Sequence, residues 1–372
     1  MIDCDAMGVS KEIIADEQGY RIVYYRHAVK PNKLIITFDP HGHDIRDAGF
    51  GCDVSLESGF DNIFISHRFN SQYQELSLDQ FASHVLPFIE GYEVYTYGSS
   101  LGGYCAIYYA GAVNARAIAL SPRNSAHPSI SSPLFSHVSF AHSDCVMSPS
   151  SMYPPTILFD HVQEVDRKFI QDFIVPAYPE ARLVDMPYAG HLIAEALLEV
   201  GLLKAVVLDI INHDVVNTVD LSQYDSSYWC AEIGYEEIRS GNPLYGASYL
   251  IRSLKIRHDP AHLDELIALA RSSEIPASFL NDVIQPYLCV INESGLFDAD
   301  WYVSMYGHTI QGELAPVLHY LLYGGYNQNC PSPKFDSEFY LENNQDVRAS
   351  GMNPLLHYVL YGQFEGRIAS SD

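Results

Sequence analysis

A chain of 372 residues that is 48% hydrophobic and only 18% charged has the composition of a folded protein with at least one sizeable core. Its formal charge of −25 opposes binding to nucleic acid or to an anionic membrane surface. No run approaches the ~18 apolar residues of a membrane span, the opening MIDCDAMGVSKEII lacks the basic flank and apolar centre of a signal peptide, and seven cysteines without a C-x-x-C pair point to reduced thiols in the cytoplasm.

After a mixed leader, residues 20–25 alternate as a strand does, and Lys33–Phe38 (KLIITF) reads as a buried strand ending in Asp39-Pro40-His41-Gly42-His43. Residues 62–66 (NIFIS) form another strand, followed by a polar loop from His67 to Tyr73. An amphipathic helix over 78–89 carries Ser77 and Gln80 at the spacing of a capping box. Residues 94–97 then read as a strand and 101–110 as a helix, with Gly98-Ser99-Ser100-Leu101-Gly102 between them. Three more short apolar runs follow at 115–120, 155–159 and 181–186, with helices at 166–175 and 192–203. Strands alternating with helices predict a mostly parallel sheet covered on both faces. In such a sheet the site lies outside the carboxyl ends of the strands.

Gly98 to Gly102 is a G-x-S-x-G sequence in its required context, a strand before and a helix after. Side chains at the two glycines would collide with the neighbouring strand and helix, and the turn lifts the Ser100 hydroxyl clear of the backbone. An unperturbed serine is a poor nucleophile, so it needs a base, and the base needs an orienting acid. His191, in Tyr188-Ala189-Gly190-His191 after the last strand, is the candidate base. The segment ILFDHVQEVDRKF offers two acids, Asp160 at the strand end and Asp166 six residues on. Asp166 also suits a helix N-cap, but it is preferred as the acid because it lies on the loop beyond the strand tip. His41 and His43, beside Asp39 and Asp44, lack the ligand spacing of a metal site, so neither metal nor cofactor is expected.

The order Ser100, Asp166, His191 resembles that of the α/β-hydrolases, and the resemblance covers residues 20–205. It implies an oxyanion hole built from the backbone N–H of Leu101 and from His41 or Gly42 in the loop after the KLIITF strand. The segment 121–153 is too short for a large lid domain, so an open mouth is expected. Arg68 and Arg123 follow strand tips, where they would either grip a substrate carboxylate or sugar hydroxyl, or remain solvated.

Beyond residue 205 the character becomes helical and tyrosine-rich, with an internal repeat. Phe297-Asp298-Ala299-Asp300-Trp301-Tyr302 recurs 38 residues later as Phe335-Asp336-Ser337-Glu338-Phe339-Tyr340, and Pro316 to Gly324 recurs as Pro354 to Gly362. Each unit reads as two short helices, the first capped by Asp298 or Asp336 and the second opened by proline and stopped by glycine. Residues 224–229 and 242–244 suggest a third, degenerate copy, and 263–271 one more helix. The histidines and tyrosines sit on apolar helical faces, which argues for packing over ligation. The two units resemble the F-D-x-x-x-Y-L … N-P-L-x-H-Y-L repeats appended to bacterial glycosyltransferases of surface-polysaccharide assembly. That resemblance implies a bacterial, cytoplasmic setting near glycan synthesis.

The sequence therefore predicts an α/β-hydrolase-type sheet over 1–205, a helical linker over 206–295, and two helical repeats over 296–372. The leading function is a serine esterase acting on acyl groups of glycans or their precursors. The alternatives are an acyltransferase, and a catalytically silent scaffold that docks a glycosyltransferase or self-associates through its repeats.

Overall fold

The computed structural model describes residues 4–130, 135–310 and 314–370. Eight strands form one sheet in the order β1-β2-β4-β3-β5-β6-β7-β8. They are β1 (Val9–Asp16), β2 (Tyr20–His27), β3 (Lys33–Phe38), β4 (Asp61–His67), β5 (Glu93–Ser99), β6 (Arg116–Leu120), β7 (Thr156–Phe159) and β8 (Arg182–Asp185). β2 is antiparallel to both its neighbours, and every pairing from β4 onward is parallel. Alternation along the strands feeds two cores. Leu34, Ile36, Phe38, Ala117, Ala119 and Ile157 point to one layer, and Ile35, Tyr95, Tyr97, Ile118 and Leu158 to the other. The first layer is closed by the helices Leu78–Val85 and Leu101–Tyr108, the second by Ile193–Glu199 and Leu203–His213. This is the α/β-hydrolase-type architecture that the sequence predicts, followed by a region of helices.

The structure departs from the sequence reading at several elements. β1 falls in the stretch read as a leader, and a register shift between Ile13 and Ala15 breaks its alternation. The short helix Cys52–Glu57 was not expected. The capping box is formed: Ser77 Oγ accepts from Gln80 N while the Gln80 side chain accepts from Ser77 N. The expected 192–203 helix is two helices, parted at Gly201, whose φ is 74°.

The chain divides into two compact units, Met1–Trp229 and Cys230–Asp372. The division lies beyond the expected boundary at 205 because Leu203, Val206, Val207, Ile210 and Ile211 make an apolar stripe at helical spacing that packs in the sheet's second layer. In the second unit, Asp298 caps the helix Ala299–Tyr306 by accepting from Trp301 N, and Asp336 caps Ser337–Asn343 by accepting from Phe339 N. Tyr302 Oη pairs with His319 Nδ1 at 3.0 Å and Tyr340 Oη with His357 Nδ1 at 2.9 Å, the partners 17 residues apart in both cases. Residues 242–244 open a helix with Asn242 and Pro243 as Asn353 and Pro354 do, but the region around 224–229 differs from the clear units. Tyr224 is exposed where Phe335 is fully buried, and the helices there, Ser227–Arg239 and Pro243–Ile256, are 13 and 14 residues long. The second clear segment also holds an unexpected helix, Gln345–Ser350.

Candidate active site

The strand order brings the loops after β3, β5, β6, β7 and β8 to one end of the sheet. Ser100 leaves β5 with φ 52° and ψ −116°, a region that L-residues rarely occupy and that persists only where the surroundings enforce it. The enforcement is visible. Ser100 N donates to Leu120 O on β6 at 2.8 Å, and Ser100 O accepts from Tyr104 N at 3.0 Å and from Arg123 N at 3.1 Å. A Cβ on Gly98 would lie 2.1 Å from Gly102 O, and one on Gly102 would lie 2.4 Å from Phe38 O. Both glycines are therefore demanded by close backbone approach, and the second contact sets the start of the Asp39–His43 loop against the elbow.

The structure brings Ser100, His191 and Asp166 into one chain of hydrogen bonds. Ser100 Oγ lies 2.8 Å from His191 Nε2, and His191 Nδ1 lies 2.6 Å from Asp166 Oδ2. An ionised carboxylate can only accept, which assigns the ring proton to Nδ1 and leaves Nε2 to accept from the serine hydroxyl. Asp166 is fully buried, whereas the His191 side chain keeps 19% of its surface exposed. Asp166 is not the helix cap: the cap position of Glu164–Phe169 is Gln163, and Asp166 sits inside the first turn.

Asp160 has a different task. It is fully buried, its Oδ2 accepts from Gly190 N at 3.0 Å and its Oδ1 from Val162 N at 2.9 Å. Burial pushes its carboxyl up, against the opposing effect of these N–H groups. It thus grips the backbone one residue before His191, in a loop where Tyr188 and Gly190 both have positive φ. Asp160, His161 and Asp185 lie close enough to share an ion, but the oxygens of Asp160 are occupied by backbone donors and His161 Nδ1 meets Asp185 at 2.9 Å. These contacts give the cluster a structural reason to exist.

Leu101 opens the helix Leu101–Tyr108, so its N–H is one of those that no helical carbonyl can satisfy. His41 and Gly42 are exposed in the loop after β3, with Gly42 at φ 105°; the His41 ring packs 5.0 Å from Phe135 and its Nδ1 lies 3.4 Å from Gln72 Nε2. That loop is anchored by buried Asp39, which pairs with the Arg46 guanidinium.

The two arginines at strand tips, for which substrate contact and solvation were both open, make contacts within the protein. Arg68 donates from Nη2 to Gln18 O in the β1–β2 turn. Arg123 donates from Nη1 to Asp166 Oδ1 at 2.9 Å. Neither contact is visible from sequence, because each joins loops 43 or more residues apart.

No protein-family model matches the chain, and no curated protein does. Among solved structures it is similar to the capsule O-acetyltransferase of Neisseria meningitidis serogroup A, at 16% identity over 53% of this chain and 92% of that one, with a TM-score of 0.37. It is also similar to Est1E from Butyrivibrio proteoclasticus (16% identity, 55% and 99%, TM-score 0.33). A third is XC6422 from Xanthomonas campestris, an α/β serine hydrolase without a lid (14%, 57% and 97%, TM-score 0.35). Likeness at this level assigns no activity. Among the described residues, no helix is long and apolar enough to cross a membrane.

Proposed function

We propose that this chain is a serine hydrolase of ester bonds, with Ser100 as nucleophile, His191 as general base and Asp166 as the acid that orients it. The observation that carries this reading is the unbroken contact from Ser100 Oγ through His191 to buried Asp166, presented on a strained elbow. In the first step Ser100 Oγ attacks the ester carbonyl carbon while His191 Nε2 takes the hydroxyl proton. The tetrahedral oxyanion is met by the N–H of Leu101 at the positive end of its helix, and by His41 or Gly42 in the facing loop. His191 then returns the proton to the departing alkoxide as the C–O bond breaks, leaving an acyl-serine. Water, activated by the same histidine, attacks that acyl carbon and releases the acid and free Ser100. If a sugar hydroxyl replaces water in this last step, the same residues perform acyl transfer.

The substrate class we favour is an acyl ester on a glycan or glycan precursor. Its support is the resemblance of residues 296–372 to repeats found on polysaccharide-assembly glycosyltransferases, which also makes such an enzyme, or a second copy of this chain, the favoured partner. The first test is turnover of a short aryl ester. The wild type is expected to hydrolyse it and Ser100→Ala to lose at least 10⁴-fold in kcat, given that loss of a nucleophile has cost about 10⁶-fold in subtilisin. Equal turnover by both proteins would place the nucleophile elsewhere.

A further inference from the structure

Asp166 has two oxygens, and the scheme above uses one. Oδ2 holds the imidazole, while Oδ1 faces the Arg123 guanidinium. A fully buried carboxylate with one oxygen uncompensated is costly, so the second contact matters for the first. The backbone of Arg123 is committed as well. Its N–H donates to the carbonyl of Ser100, the residue that bears the nucleophile. One residue therefore bonds the backbone of the nucleophile and the side chain of the acid, two elements that the chain separates by 66 positions.

Its own loop is rigidly held. Ser121 N donates to Leu158 O with Ser121 at φ 41°, and fully buried Asn124 turns the chain by accepting from Ala126 N. Arg123 Nε is buried and has no partner among the described residues, so the side chain's hold on the structure runs through Asp166. We propose that Arg123 is a positioning residue: it braces Asp166 at the oxygen away from the imidazole and fixes acid and nucleophile in one frame. This rests on the serine-hydrolase reading and deepens it.

The brace has an electrostatic cost, which makes the proposal specific. With Arg123 beside it, the acid's charge is balanced in the resting site, and it stabilises the imidazolium formed during attack less than an isolated carboxylate does. A residue retained there despite that effect serves geometry. Loss of the brace frees Oδ2 to leave Nδ1, and a misplacement of about 1 Å in catalytic geometry, even one caused by a change away from the reacting atoms, costs about 10²-fold.

The test compares wild type, Ser100→Ala, Arg123→Ala and Arg123→Lys, each shown folded by its circular dichroism, on a short aryl ester. Arg123→Ala is expected to lose about 10²-fold in kcat with KM unchanged, and added guanidinium ion is expected to restore part of that loss. Arg123→Lys, which supplies a charge without the planar fork, is expected to fall between the two. A raised KM with kcat intact would overturn the proposal in favour of substrate contact. Unchanged kinetics, or a loss that neither guanidinium nor lysine relieves, would overturn it in favour of a purely structural role. The hydrolase reading is scored separately by Ser100→Ala: if wild type and that variant turn over the ester alike, both readings fall. If Arg123→Ala misfolds, Arg123→Lys and its kcat against KM decide.

Discussion

The two units differ in where polar groups and backbone strain fall. In the first, Asn70, Gln72, Tyr73, Ser100, Ser121 and Tyr188 have positive φ beyond strand ends at the site's edge of the sheet, while Asn114 and Asp214 have it at helix C-caps. Among the described residues of the second, the non-glycine residues with positive φ are Ser273 and Gln328, each just past a helix. Among the described residues, the buried side-chain atoms without a hydrogen-bond partner are His67 Nε2, Gln72 Oε1, Ser121 Oγ and Arg123 Nε at the site's edge and Ser58 Oγ, Tyr97 Oη, Arg116 Nε and Glu195 Oε2 elsewhere in the first unit, against Tyr287 Oη in the second. Most of the first unit's strained residues and half of its unmet polar groups lie around the proposed site, where a structure optimised for packing alone would relax them. The helical unit instead closes its polar side chains locally, as the two Tyr–His pairs do. The comparison supports placing the proposed chemistry in the first unit and a packing role in the second.

The sharpest way to break that assignment is at the acid. If Asp166 orients His191, Asp166→Asn lowers kcat by about 10⁴-fold, the loss seen when the acid of a serine-protease triad is amidated. Asp160→Asn leaves the acid in place but sets an NH₂ donor against one of two backbone donors. It is expected to lower kcat roughly 10-fold, the equivalent of one disturbed buried hydrogen bond. A larger loss at Asp160 than at Asp166 in the same assay would exchange their roles.

In the second unit, a Cβ on Gly324 would lie 2.0 Å from Tyr302 Oη, and one on Gly362 would lie 2.3 Å from Tyr340 Oη. Gly324→Ala is therefore expected to destabilise its unit by about 1–3 kcal/mol, read by hydrogen exchange, with kcat on a small ester unchanged. Loss of kcat in a folded Gly324→Ala protein would contradict the division of labour.

The smallest effect is one of sign. Burial lowers His142 from its ordinary 6.5 to about 4, so between those values the unfolded chain binds the extra proton and the first unit loses stability as pH falls. Burial raises Asp264 from 3.8 to about 7, with the Tyr326 hydroxyl opposing. There the folded state holds the extra proton, so the second unit loses stability as pH rises from about 4 to 7. Hydrogen exchange resolved by unit should show opposite slopes, with Asp264→Asn flattening the second.

The boundaries of β3 were legible because KLIITF is a continuous apolar run closed by Asp-Pro, and the capping box at Ser77 because its spacing is itself the mechanism. Ser100, His191 and Asp166 could be proposed from sequence for a related reason: the elbow is a local motif, and strand order ranks the candidates downstream. β1 was not legible, since its charged residues and its register shift hide the alternation. Sequence ranked Asp166 above Asp160 but could not show what each faces, Gly190 N for Asp160 at the strand end and the imidazole for Asp166 in the helix that follows. Arg123 was placed at a strand tip, yet which way its guanidinium turns is decided by a residue on another loop.

The central claim is that Ser100 is an activated nucleophile. Its most direct test is to treat the full chain with a fluorophosphonate and map the adduct by peptide mass spectrometry. The account predicts one phosphonylated residue, Ser100, and no labelling of Ser100→Ala or of wild type with its histidines blocked. An adduct on another residue, or undiminished labelling of Ser100→Ala, would contradict it.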